Sequence, residues 1–198
     1  MSGDRPYMKS FFLGGARSGK STLAARKAAD CSDEVCCIVT ATATDAEMAA
    51  RIEAHRRERP RQWRVREAPV ALAAALQEEA GATGVLLIDC LTLWVTHCLW
   101  PPETAAPQTP AGSPIARNGR GDEPDIDGWR RERDAFLDAL SGVKCPVVLV
   151  SSEVGGGIVP ASSAARMFRD EQGWLNQAVA AACDEVFFVA AGLSLRLR

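Results

Sequence analysis

The sequence predicts a three-layer α/β fold, with helices covering both faces of a mostly parallel central sheet. Three observations carry this. Short runs rich in Val, Ile, Leu and Phe alternate along the chain with helix-forming stretches. The runs are apolar throughout, as in strands buried on both faces, where one wet face would impose polar alternation. The first run, Phe11-Phe12-Leu13, leads directly into Gly14-Gly15-Ala16-Arg17-Ser18-Gly19-Lys20-Ser21, which has the G-x-x-x-x-G-K-[ST] form of a phosphate-binding loop and opens a helix.

In chain order, strands are predicted at Phe11–Leu13, Val35–Thr40, Val85–Asp89, Pro146–Ser151 and Glu185–Ala190. A short last strand over Leu193–Leu197 is joined through Gly192. The stretch from Ser21 to Ala28 reads as a helix. Thr44-Asp45-Ala46-Glu47 has the capping-box form, with Thr44 at the N-cap, so a second helix should run to about Arg56. Met48 and Ile52 lie one turn apart and are expected to face the core. Trp129 to Leu140 resumes a helical pattern. Residues 101–126 hold six of the eleven prolines and few apolar side chains, and read as a mobile surface loop. Residues 8–198 are otherwise expected to form one nucleotide-binding domain.

Composition narrows the function. A chain of 198 residues with 47% hydrophobic content supports a single core. The net charge of −2 gives no global basic field, so nucleic acid is not an expected partner. Arginines do cluster locally at 56, 57, 59, 61, 64 and 66. Seven cysteines, none in a C-x-x-C pair and several inside apolar runs, point to a reducing cytoplasm. The N-terminus lacks an apolar signal core, and the run from Val85 to Trp100 carries Asp89 and His97 and is too short to span a bilayer.

The phosphate loop dictates chemistry. Its glycines let successive N–H groups point at an anion, and the helix N-terminus adds unpaired donors. Lys20 should reach the β- and γ-phosphates, and the Ser21 hydroxyl should ligate Mg²⁺. Asp89 ends a strand and has the form of a metal-holding acid; Glu153, after Ser151-Ser152, is a second candidate, or else braces the Gly155-Gly156-Gly157 turn. His55 follows Glu47 and Arg51 at four-residue spacing, among Arg51, Arg56, Arg57 and Arg59. Positive surroundings favour the neutral imidazole, which is a nucleophile. Glu67 could accept from the N1–H and N2–H₂ edge of guanine, which adenine lacks. His97, in the stretch Leu93–Leu99, reads as a packed structural histidine.

These pieces together resemble one family, the bifunctional adenosylcobinamide kinase/adenosylcobinamide-phosphate guanylyltransferase of cobalamin synthesis. The stretches that carry the resemblance are GGARSGKS at 14–21, DAEMAARIEAHRRERP at 45–60, the W-R-x-x-E segment at 63–67, LLIDCLTLWVT at 86–96, SSEVGGGIVP at 151–160 and the segment 166–192. The resemblance implies a RecA-like P-loop NTPase sheet and a homotrimer. It implies two reactions: phosphorylation of adenosylcobinamide by ATP or GTP, then transfer of GMP from GTP through an enzyme histidine to adenosylcobinamide phosphate. His55 matches the guanylylated position, and Lys20 stays the catalytic lysine of the loop. Nucleotide contacts carry over to Gly14, Gly15, Ala16, Arg17, Ser18, Gly19, Lys20 and Ser21, to Val39, Thr40 and Ala41, to Arg56, Arg57, Glu58 and Arg59, and to Glu67 and Asp89. Metal contacts are expected at Ser21, Asp89 and Glu153. Two other readings of the same residues remain: a one-step P-loop kinase for another small hydroxylated substrate, and a non-catalytic GTP-dependent switch.

Overall fold

The computed structural model describes residues 7–43, 45–101 and 123–198, with Glu58 described through its backbone alone. Residues 102–122 of the expected 101–126 loop and the expected cap Thr44 lie outside the described residues, and Ile126, at the loop's expected end, is already helical.

Seven strands form one sheet: β1 Lys9–Gly14, β2 Val35–Val39, β3 Arg64–Glu67, β4 Val85–Asp89, β5 Val147–Ser152, β6 Glu185–Ala190 and β7 Leu193–Arg196. Their spatial order is β3-β2-β4-β5-β1-β6-β7. Every neighbouring pair is parallel except β6–β7, which is an antiparallel hairpin. The hairpin turns through Ala191 (φ 52°) and Gly192 (φ 78°), the two left-handed residues that a tight primed turn demands. β3 was not expected from the sequence. All four of its residues are exposed, so it lacks the apolar run by which the other parallel strands are recognised.

Alternate strand residues feed two cores, one on each face. Phe11, Ile38, Leu86, Ile88, Val147 and Leu149 pack with helices α3 Leu72–Glu79, α4 Leu91–Leu99, α5 Ile126–Gly142 and α6 Ser163–Ala182. Phe12, Val39, Leu87, Val148 and Val150 pack with Ala24 and Ala28 of α1 Lys20–Cys31 and with Trp63. The first core centres on Trp94 and Trp129, edge to face with ring centroids 5.0 Å apart. Each indole N–H is satisfied, Trp94 on the Val70 carbonyl at 2.7 Å and Trp129 on Glu171 at 2.8 Å. Helices therefore cover both faces, as expected. α5 starts three residues earlier than expected, at Ile126, because Asp125 accepts from the Gly128 N–H at 2.9 Å and caps it.

α2, Ala46–Glu58, differs from the rest. Its cap is Asp45, whose Oδ1 accepts from the Met48 N–H at 2.7 Å, one residue past the expected Thr44. The shift moves Glu47 from the third helical position to the second, so no capping box forms with it. Met48 and Ile52 are half-buried and belong to neither core, against expectation. Two apolar residues on an otherwise charged helix are too few to hold it in a packed layer. α2 accordingly places none of its described residues in either core.

Candidate nucleotide site

Parallel register collects the candidate residues at one edge. Val39 pairs in register with both Glu67 and Asp89, and Gly14 with both Ser152 and Val189. This is the carboxyl end of the sheet, where ligands of open α/β folds gather. β5 separates the phosphate-loop strand β1 from the acid-bearing strand β4.

The loop itself is wound tightly. Arg17 (φ 54°) and Gly19 (φ 93°) alternate left-handed with right-handed backbone, which turns amide groups inward. Gly14 is pressed so close to β6 that a Cβ there would fall on the Val189 carbonyl oxygen, hence a glycine. α1 begins at Lys20 with no side-chain cap, which leaves its first N–H groups open to an anion. The Ser18 hydroxyl is buried without a hydrogen-bond partner, an orphan that suits a ligand oxygen. Lys20 folds back, donating from Nζ to the Gly15 carbonyl at 3.1 Å. Ala16 and Arg17 are exposed on the loop, and Gly15 is half-buried.

Two props hold the loop from behind, and neither was legible in the sequence as such. The Gly192 N–H of the β6–β7 turn donates to the Ser18 carbonyl at 2.8 Å, and the Glu153 N–H donates to the Gly14 carbonyl at 3.1 Å. The turn glycine was visible; the long-range bond it makes was not.

Ser21 and Asp89 meet, with Ser21 Oγ donating to Asp89 Oδ1 at 3.3 Å. Arg59 Nη2 donates to the other oxygen, Oδ2, at 3.0 Å, with both side chains largely buried. A hydroxyl and a carboxylate at this spacing, beside an anion cradle, fit Mg²⁺, which keeps several waters and takes few protein ligands. Among the described residues no group of three His, Cys, Asp or Glu is placed to hold a metal. Glu153 Oε1 accepts from the Gly155 N–H at 2.5 Å, so its carboxylate is engaged with the glycine turn.

The Val39–Ala41 segment is used structurally. Val39 is in the core and its carbonyl accepts from the Ala68 N–H at 2.8 Å. Thr40 is fully buried; its hydroxyl donates to the Cys90 carbonyl at 2.6 Å and accepts from the Cys90 N–H at 3.2 Å. The side chains of Val39 and Thr40 are therefore spent on packing, and what the segment presents at the edge is Ala41 and main chain. Burial, reinforced by Asp89, pushes the Cys90 thiol up, and burial pushes Cys37 up to about 12. Neither supplies a thiolate nucleophile beside the loop.

On α2, His55, Arg56 and Arg57 are exposed. Arg56 Nη2 lies 3.9 Å from Glu67 Oε1, so the guanine-reading candidate and the basic helix face each other. Arg57 pairs along the helix with Glu53 at 3.1 Å. His97 is buried, as expected, with Nε2 3.1 Å from the Thr42 hydroxyl. No described helix is long and apolar enough to cross a membrane.

The chain is similar in sequence to known proteins over nearly its whole length. Residues 10–197 match the family profile described as CobU, cobinamide kinase / cobinamide phosphate guanyltransferase. The bifunctional adenosylcobalamin biosynthesis protein CobP of Pseudomonas aeruginosa is 44% identical over 192 residues, covering 96% of this chain and 98% of that one. The corresponding CobU of Escherichia coli is 38% identical over 189 residues, covering 93% of this chain and 97% of that one. Among solved structures the RadB recombinase aligns over 92% of this chain and 74% of its own, with 12% identity and a TM-score of 0.45. The sequence match spans nearly every residue, the phosphate loop and α2 included, and the chain belongs to the cobinamide kinase / cobinamide phosphate guanyltransferase family.

Proposed function

We propose that the chain runs both family reactions over one phosphate cradle, the second through a covalent GMP on His55. In the first, the hydroxyl of adenosylcobinamide attacks the γ-phosphorus of ATP or GTP and the nucleoside diphosphate leaves. Lys20 and the open N–H groups of α1 carry the charge that spreads over the transferring group. In the second, the His55 imidazole attacks the α-phosphorus of GTP and pyrophosphate leaves. An oxygen of adenosylcobinamide phosphate then attacks the same phosphorus, His55 departs as neutral imidazole, and adenosylcobinamide-GDP forms. Splitting the transfer in two gives each half its own in-line geometry.

The observation that carries this reading is the Arg59–Asp89 contact at 3.0 Å. It ties the end of the His55 helix to the acid beside the phosphate loop, so the nucleophile rides on an element that already reaches the cradle. Arg56, Arg57, Glu58 and Arg59 frame the GTP, and Glu67 takes the guanine edge next to Arg56. Mg²⁺ would be held by Ser21 and Asp89, with Glu153 in reserve, and would supply charge neutralisation between the β- and γ-phosphates. Partners are the corrinoid and the nucleotide, with no nucleic acid. The working form is a cytoplasmic homotrimer built from one 8–198 domain.

Incubation with GTP labelled at the α-phosphate tests the proposal. Wild type should give a labelled protein whose bond is acid-labile and alkali-stable, as a phosphoramidate is. His55→Asn should lose the label and cut GMP transfer by on the order of 10³-fold or more, while the kinase step stays within several-fold. Full GMP transfer by the variant would overturn the covalent step. Phosphorylated corrinoid without labelled protein would indicate a one-step kinase, and neither product a GTP-dependent switch.

A further inference from the structure

Asp89 is engaged at both carboxylate oxygens. Ser21 donates to one carboxylate oxygen at 3.3 Å and Arg59 to the other at 3.0 Å. The ion pair is screened from water, with side chains 14% and 15% exposed, whereas the neighbouring pairs Arg56–Glu67 and Arg57–Glu53 lie in solvent. Arg59 is also the residue at which α2 ends, and α2 buries no residue in either core. A helix with so little apolar anchorage depends on such a tie for its position.

We infer that Arg59 is a resident countercharge: it neutralises Asp89 and pins the C-terminal end of α2 until a divalent cation and its triphosphate take its place. The inference rests on the reading of Asp89 as the acid that faces the cation. A guanidinium and a divalent cation on one carboxylate repel each other and share its charge, so each weakens the other's hold, more so at this degree of burial. The arriving triphosphate meanwhile offers the guanidinium several anionic oxygens at the same sheet edge, and arginine binds phosphate bidentately. Arg59 therefore exchanges Asp89 for phosphate as the nucleotide loads. No bond is made or broken covalently; one cation leaves the carboxylate as another arrives. The exchange releases the end of α2, four residues from His55, only when a metal-bound nucleotide is present. That order would keep the nucleophilic helix parked in the empty enzyme.

Two readouts other than turnover test this on the full chain. Arg59→Gln removes the charge and keeps a polar side chain. Free Arg59→Gln protein should exchange amide hydrogens over 46–58 about tenfold faster than wild type, while α1 and α6 keep their protection. Mn²⁺ alone, followed by its electron paramagnetic resonance signal, should bind Arg59→Gln about tenfold more tightly, because its competitor for Asp89 is gone. Unchanged protection over 46–58, or Mn²⁺ binding that is equal or weaker, overturns the inference. Should Arg59→Gln unfold, Asp89→Asn breaks the same pair from the other side, and a helix still protected there overturns it equally. The mass of GMP on position 55 is scored in parallel samples of the same proteins given GTP and Mg²⁺. Retained adduct with no change in exchange or Mn²⁺ binding removes the countercharge and leaves the covalent route standing; loss of the adduct in wild type does the reverse.

Discussion

At the scale of single residues, burial decides what each titratable group can do. His97 is the clearest case. It is 7% exposed, its Nε2 meets the Thr42 hydroxyl, and burial pulls its imidazole below the ordinary value of 6.5. A depressed folded-state pKa means that folding favours the neutral ring. The stability this provides is complete above pH 6.5 and is lost as pH falls through that value toward the folded one. Urea unfolding followed between pH 7 and 5 should therefore show wild type losing stability more steeply than His97→Gln. Parallel pH profiles would refute the assignment. Glu185 does not confuse the window. A hydrogen bond from Lys27 at 2.7 Å, with further help from Ser10 and Arg196, holds its carboxyl below the ordinary 4.5, so its contribution is lost only at more acid pH. Thr42 stands at the entrance to α2, which links this ring to the placement of the segment that carries His55.

At the scale of elements, the sequence was most legible where burial is two-sided. β1, β2, β4, β5 and β6 announce themselves by unbroken apolar runs because both faces of each are covered. β3 stayed hidden because an exposed edge strand needs no such run; its W-R-x-x-E segment was recognised by residue identity, not by pattern. The same division holds in the site. Ser21 and Asp89 could be anticipated as partners because a known loop and a strand end must face one edge. Arg59 on Asp89 and Thr40 on Cys90 could not, since each joins residues far apart in sequence through geometry that no spacing encodes. The capping of α3 is a further example. Its N-cap, Ala71, supplies no side-chain acceptor, yet the buried Glu132 of α5 reaches across and accepts from the Ala73 N–H at 3.0 Å. A carboxylate thus caps a helix to which it does not belong. Glu132→Ala should cost about 1–3 kcal/mol in urea titrations by orphaning that donor, whereas Glu132→Gln, which keeps a carbonyl in place, should cost much less. Burial also raises the Glu132 carboxyl above its ordinary range, so burial works against its charge while the Ala73 N–H bond favours it. Equal losses for the two variants would show that packing, not capping, sets the residue.

At the scale of the whole molecule, the described residues form a core on each face of the sheet. The described chain on either side of that segment is closed on itself: the Asp125 N–H donates to the Leu99 carbonyl at 2.9 Å, which brings the end of α4 against the start of α5. Leu99, at the last turn of α4, and Trp129, in the first turns of α5, are both fully buried in the same core, so the junction is fixed by packing as well as by that bond. The ends of α4 and α5 are therefore already bridged. Loop-closure entropy changes by only about 0.6 kcal/mol per twofold change in length. Replacing 102–122 with a flexible linker a quarter as long should then leave stability unchanged or raise it by about 1 kcal/mol, measured by urea unfolding of the full chain and its shortened form. A loss of several kcal/mol would mean that the proline-rich segment supplies core contacts, and would contradict the reading of 101–126 as a surface loop. GMP labelling at position 55 in the shortened chain separates stability from use. Labelling should persist, because the phosphate loop, Asp89 and α2 are held by β1, β4 and their own contacts, none of which crosses the α4–α5 junction. If labelling persists while transfer of GMP to the corrinoid phosphate fails, the segment serves the acceptor and not the nucleotide, and its composition is then to be explained by a large amphipathic substrate that must be admitted and released.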